Sequence, residues 1–249
     1  GCGMNYVGNG KVYRRSPFRK MYIQAAAGDA GGAIGAAFYV WSKEGDNPHP
    51  DPLPSFGEGN KAGKFVMDHA YWGPEFSNAE VKAVLDEHAG ELNGAGCLVE
   101  LIEDEDVLCR KTAESVSEGK VIGWFQGRME WGPRALGNRS IVCDPRRADM
   151  KDILNLKIKR RESFRPFAPS ILREQVIDWF EEEDDVPFMM QVFQIREEKG
   201  KEIPAVTHVD GSGRLQTVHR ETNPRYYRLI EAFRDISGVP IVLNTSFNE

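Results

Sequence analysis

The segment Gly127-Arg128-Met129-Glu130-Trp131-Gly132-Pro133-Arg134-Ala135-Leu136-Gly137-Asn138-Arg139-Ser140 constrains this chain more than any other. It carries three arginines, three glycines and one proline, and it lies between two apolar runs, Val121–Phe125 and Ile141–Cys143. Glycine and proline at this density forbid a helix, so the segment is predicted to be a shaped loop joining two buried strands. A guanidinium presents a rigid fork of donors that matches phosphate or carboxylate oxygens two at a time. Three forks on one strand-anchored loop predict an anion cradle, with Arg128, Arg134 and Arg139 as its cations and Asn138 among its polar groups.

Around this loop, short strand and helix patterns alternate, which predicts an α/β fold. Met21–Gln24 reads as a strand running into a glycine turn and an apolar helix, Ala33–Trp41. Ser77 and Glu80 form a capping box. They open a helix to about His88, with Val81, Val84 and Leu85 on its expected buried face. Asp106–Ser117 is helical, with Gly119 as the residue after its cap. Further helices are expected at Ala148 to about Ile158, at Gln175–Phe180, and from Asn223-Pro224 to about Phe233. Strands are expected at Phe167–Leu172 and Val239–Leu243. Pro48, Pro50, Pro52 and Pro54 mark a long surface loop. Gly94-Ala95-Gly96 suggests a boundary near residue 100, dividing the chain into 1–100 and 101–249.

Composition enters where it excludes. Hydrophobic residues make up 41% of the 249-residue chain, ample for a core. No run approaches the roughly 18 apolar residues of a membrane span, and the first residues lack a signal-peptide pattern. Cys2, Cys97, Cys109 and Cys143 are unpatterned and read as free thiols of a reducing, cytoplasmic setting. The net charge is −6, yet residues 120–173 hold thirteen Lys and Arg against five Asp and Glu. A basic island in an acidic chain points to one anionic ligand site rather than to a nucleic-acid coat.

Three further segments carry chemistry. Lys157-Ile158-Lys159-Arg160-Arg161-Glu162-Ser163-Phe164-Arg165 holds five cations in nine residues, more than a helix C-terminus requires. Arg165 precedes Pro166-Phe167 and is expected to be carried inward toward an anion. Leu243-Asn244-Thr245-Ser246-Phe247-Asn248 sets neutral donors at a strand's C-terminal end, where α/β proteins bind ligands. Gly28-Asp29-Ala30-Gly31-Gly32, between a strand and a helix, would let backbone approach a phosphate. Asp29 is either a metal ligand or the cap of that helix, and Asn5 either a nucleotide contact or a turn residue.

Taken together these segments resemble the carbamoyltransferase family that includes nodulation-factor and antibiotic O-carbamoyltransferases. The resemblance runs from residue 1 to 249. It is carried by Gly127–Ile141, Lys157–Leu172 and Pro240–Asn248, with Ala25–Ala37 and His69–Ser77 also matching. It implies the end of an ASKHA (actin-like ATPase) domain over residues 1–100. A YrdC-like α/β domain with a twisted mixed sheet would follow over 101–249. It further implies that ATP and carbamoyl phosphate, with Mg2+, form carbamoyl-adenylate, and that the carbamoyl group then passes to an acceptor hydroxyl at an iron-type metal.

On this resemblance Asp29 is the metal aspartate, and Gly28, Gly31 and Gly32 line a nucleotide. Lys159, Arg161 and Arg134 act in catalysis, and Arg128, Arg139, Asn138, Arg165, Ser246, Asn248 and Asn5 bind substrate or ATP. The two metal histidines of the family are absent from this sequence, so the chain is expected to be a fragment lacking the N-terminal half. No nucleic acid and no membrane is an expected partner. The alternatives are an RNA-binding, tRNA-modification-related YrdC-like module and a non-catalytic nucleotide-binding remnant.

Overall fold

The computed structural model describes residues 1–18, 20–43 and 66–247; the proline-rich loop read from the sequence lies outside them. Among the described residues seven strands are formed: β1 (Ile122–Phe125), β2 (Arg139–Cys143), β3 (Ala168–Leu172), β4 (Val192–Gln194), β5 (Ser212–Arg214), β6 (Gln216–Val218) and β7 (Ile241–Ser246). Five make one sheet in the order β1-β2-β7-β3-β6, antiparallel except for the parallel β3–β6 pair. β4 and β5 form a separate antiparallel pair. The fold is thus mixed α/β with a mixed sheet, as the alternation of patterns predicts.

The helices are α1 (Tyr6–Arg15), α2 (Gly31–Lys43), α3 (Asn78–Glu87), α4 (Ala89–Gly94), α5 (Glu105–Ser117), α6 (Met150–Asp152), α7 (Val176–Trp179), α8 (Glu197–Gly200) and α9 (Pro224–Ser237). α5 begins where the Asp104 carboxylate accepts from the amides of Asp106 and Val107, at 2.8 and 3.0 Å. It buries Cys109, Ala113 and Val116, spaced four and three apart, against Tyr226, Leu229, Ile230 and Phe233 of α9. α9 starts at the Asn223 cap with Pro224 in its first turn and stops at Gly238, whose φ of +76° is left-handed. These two helices and Ile141, Ile171, Ile241 and Leu243 of the sheet form the main core.

One buried residue each of β3, β6 and β7 forms a polar layer instead. Ser170 donates to Gln216 Oε1 at 2.6 Å, and Asn244 Nδ2 donates to Gln216 Oε1, Ser170 Oγ and the Ala135 carbonyl at 3.0 to 3.1 Å. Beyond it lies a second cluster in which Ala25, Met67 and Ala70 meet Leu136, Ala168, Phe188, Met189 and Met190.

Two expectations fail for physical reasons. Residues 21–24 form no strand, because none of the described strands pairs with them to complete a ladder. The α3 capping box forms as predicted, but Val81, Val84 and Leu85 are exposed, since α3 buries no residue against the described body.

Candidate anion-binding site

The site is built around an unusual helix end. α6 widens into a π-helical run, Ile153–Ile158, closed by the Lys159 amide donating five residues back to the Leu154 carbonyl at 2.8 Å. Such runs are rare and concentrate at functional sites. Arg160 then adopts φ +48°, the left-handed region, which costs an L-residue roughly 1–2 kcal/mol. Fully buried Asn155 holds the turn: its amide donates to the Ser163 and Arg165 carbonyls at 3.1 and 3.0 Å, and its oxygen accepts from Arg161 Nε at 2.8 Å. This arrangement turns Lys159 and Arg161 inward and leaves Arg160 in solvent.

Lys159 is buried, and its ammonium donates to the carbonyl and, at 3.4 Å, to the hydroxyl of Ser246 at the end of β7. Burial first, and the neighbouring Arg161 second, push its pKa down to about 8. Arg161 lies 5.0 Å from the Phe167 ring, and its pKa too is lowered, mainly by burial. Arg134 and Arg214 stand 5.8 and 5.0 Å from the centroid of one ring, that of Tyr6 in α1. Burial lowers both, and Arg214 is lowered further by repulsion from Arg134 and from Arg161. The Nε of Arg134 and of Arg214 are sealed from solvent with no hydrogen-bond partner, and no ion pair among the described residues involves Arg134, Arg161 or Arg214. Four partly desolvated cations that repel one another are a standing attraction for a polyanion.

The glycine loop is built differently from the expected cradle. Its amides turn around its own carboxylate: one oxygen of buried Glu130 accepts from the amides of Leu136, Asn138 and Arg139 at 2.7, 2.8 and 3.1 Å. Gly132, at φ +113°, passes so near residue 25 that a Cβ would sit 2.6 Å from the Ala25 carbonyl, and Gly137, at φ +106°, faces the Tyr226 ring, which a Cβ would meet at 2.3 Å. The Trp131 and Gly73 amides bond to the Ala70 and Met129 carbonyls at 2.6 and 2.9 Å, stitching the loop to residues 70–73.

The structure therefore brings together Arg134, Lys159, Arg161 and Ser246 of the predicted residues, and sets the others apart. Arg139 stacks on Phe125 at 3.6 Å and donates to the carbonyls of Gln126, Gly127 and Asn138. Arg128 is exposed beside Glu75 at 3.7 Å. Asn138 accepts from Gln126 and Asn223 at 2.8 and 2.9 Å and donates to the Arg128 carbonyl at 2.8 Å. Arg165 is exposed and paired with Glu162 at 2.9 Å rather than carried inward, because the Asn155 bond to its carbonyl fixes the backbone while the side chain leaves it. Asn248 lies outside the described residues.

At the other end of the chain, Asn5 caps α1, accepting from the Gly8 amide at 2.9 Å. Gly28 packs on Met4 Sδ, where a Cβ would stand 3.1 Å away, and at Gly31 a Cβ would stand 2.2 Å from the Ala26 carbonyl. Gly32 is open to solvent, and Asp29 is exposed on the turn before α2.

Sequence reasoning missed Arg214. It is the lone Lys or Arg between Lys201 and Arg220, so no cluster advertised it. No local signal marks it, since Leu215-Gln216-Thr217-Val218 after it is only half apolar.

The sequence model described as Carbamoyltransferase C-terminus matches residues 113–249, and that described as Carbamoyltransferase N-terminus matches residues 1–38. Tyr6 thus lies within the N-terminus match, and the four cations within the C-terminus match. The chain is 43% identical over its whole length to nodulation protein NolO of Bradyrhizobium diazoefficiens, covering 42% of that protein. It is 34% identical, again over its whole length, to the 3'-hydroxymethylcephem-O-carbamoyltransferase of Amycolatopsis lactamdurans, covering 41% of it. The chain spans about two-fifths of the length of these relatives. With more than half of its residues under one family description and both end segments matched in order, the chain belongs to the carbamoyltransferase family.

Proposed function

We propose that this chain supplies the phosphate-handling site of an ATP-dependent O-carbamoyltransferase. The observation that supports the reading is the convergence of Arg134, Lys159, Arg161 and Arg214, three of them without an ion-pair partner among the described residues. ATP and carbamoyl phosphate repel each other, and bringing both within reach of reaction requires concentrated, preorganised positive charge. In this reading the guanidinium forks of Arg134 and Arg214 hold phosphate oxygens. Water takes the phosphoryl group of carbamoyl phosphate, releasing phosphate and carbamate; a carbamate oxygen then attacks the α-phosphate, where Lys159 and Arg161 stabilise charge, expelling pyrophosphate and leaving carbamoyl-adenylate. Ser246 positions the Lys159 ammonium. Mg2+ would travel with the triphosphate.

The second step, transfer to an acceptor hydroxyl, belongs to the intact protein. Asp29 can offer one exposed carboxylate to the iron-type metal implied by the resemblance. Among the described residues no three His, Cys, Asp or Glu side chains converge on a metal position, so no step is derived through that ion. No helix among the described residues is long and apolar enough to cross a membrane.

The test supplies the full-length parent with carbamoyl phosphate, ATP and Mg2+ and measures pyrophosphate. Release that requires carbamoyl phosphate is expected. Absence of pyrophosphate with every acceptor alcohol tried overturns the reading.

A further inference from the structure

Tyr6 reaches Arg134 and Arg214 from α1, outside the segment that holds both arginines. The seating of α1 accounts for that reach. Asn9 Nδ2 donates to the carbonyls of Gly3 and Met190 at 2.9 and 2.7 Å, and Arg14 pairs with Glu181 at 2.9 Å and with Glu182. Gly10 lies against β4, where a Cβ would collide with the Val192 carbonyl oxygen. Val192 is the cross-strand partner of Arg214 in the β4–β5 pair. Tyr6 and Gly10 are four residues apart in sequence and share one face of the helix. One face of α1 thus rests on the strand beside Arg214 and brings an aromatic ring to its guanidinium.

The choice of partner has a chemical consequence. A carboxylate would occupy the guanidinium fork and cancel its charge. A ring attracts the cation through its π face and leaves the N–H donors for oxygens. Arg134 and Arg214 repel each other, and neither has an ion-pair partner among the described residues. Free to turn, two such side chains would separate; a ring within about 6 Å of both opposes this. An anion with linked phosphoryl groups engages both forks best when their relation is fixed beforehand, because ordering long side chains during binding costs affinity. A single phosphate has no such requirement.

We propose that Tyr6 is a positioning residue that fixes Arg134 and Arg214 relative to each other, so that the site selects anions with two or more linked phosphoryl groups over a single phosphate, a role that rests on the phosphate-handling reading of the cluster. α1 then belongs to a site whose cations all lie elsewhere in the chain. Lifting α1 weakens anion binding, and by linkage a bound anion holds α1 down.

The experiment is calorimetric titration of the full chain with inorganic tripolyphosphate and with inorganic phosphate. Wild type is expected to prefer tripolyphosphate. Tyr6→Leu keeps every cation but should lose about tenfold in tripolyphosphate affinity and less than about threefold in phosphate affinity. A loss of packing alone would weaken both anions equally. Tyr6→Phe, which retains the ring, should restore the wild-type preference. Gly10→Ala leaves Tyr6 in place but forces α1 off Val192, and should show the same unequal loss. Tripolyphosphate affinity unchanged in Tyr6→Leu and Gly10→Ala, or equal losses for the two anions, overturns the role of Tyr6 while the phosphate-handling reading stands. Wild type that binds neither anion overturns that reading and this role with it.

Discussion

Arg134 and Arg214 share one aromatic ring, their guanidinium carbons 5.8 and 5.0 Å from the centroid of Tyr6. Two like charges held this way repel, and Arg214 has its pKa lowered by burial and by Arg134. Replacing one should therefore relieve the fold while weakening the ligand. Arg214→Met is expected to unfold at the same or a higher denaturant concentration than wild type. It should also lose about 10- to 150-fold in ATP or carbamoyl phosphate affinity, the equivalent of a charged hydrogen bond worth about 1.5–3 kcal/mol. Calorimetry and urea unfolding on one preparation measure both; a variant that is destabilised and binds normally contradicts the assignment.

Lys159 gives a pH signature. Its folded pKa is about 8, below the 10.5 of a free lysine. Between those values the unfolded chain binds more protons, so this group makes stability rise with pH across the window and contributes no slope below it. Anion affinity moves the other way. It should be flat below about pH 8 and fall above it as the ammonium is lost, with proton uptake on binding. Lys159→Met should flatten both curves, which titrations in two buffers of different ionisation enthalpy would reveal.

Glu130 organises the 136–139 backbone through a single oxygen that takes three amides. Glu130→Gln keeps an acceptor but loses the charge, and should cost about 1–3 kcal/mol. Glu130→Ala leaves the buried amides without any partner and should cost more. Urea midpoints order the three proteins; a Gln variant as stable as wild type would show that the charge is immaterial.

Arg160 occupies left-handed backbone without being buried. Glycine enters that region freely, so Arg160→Gly should stabilise by up to about 1 kcal/mol, whereas Arg160→Val should destabilise by a similar amount or more. Chemical denaturation reads the pair, and a stabilising valine would contradict the described turn.

How far the sequence revealed this molecule depends on the kind of signal. Local grammar was legible: the Ser77–Glu80 box, the Asn223-Pro224 start of α9, Gly119 after α5 and the apolar runs of β1, β2, β3 and β7 all occur where residue chemistry puts them. Arg134 was legible as a candidate from the arginine density of its loop, whereas Lys159, Arg161 and Ser246 were singled out within their segments by the family resemblance. What stayed hidden depends on tertiary neighbours. Nothing local says that the arginine of Gly213-Arg214 faces Arg134, that Arg139 spends its donors on carbonyls, or that the loop amides close on Glu130. The β4–β5 pair is equally silent, because three-residue strands carry too little periodicity to read.

The wide turn at Ile153–Ile158 makes the position of two cations a matter of counting. A π-helical run holds one more residue per turn than an α-helix. Winding the same six residues as ordinary α-helix would over-rotate everything after them by about 100°. Lys159 and Arg161 would then swing off Ser246 and Arg214 with the composition unchanged. Substitutions that favour α-helical spacing in this stretch are therefore more damaging in prospect than conservative replacement of either cation, because they re-aim both together.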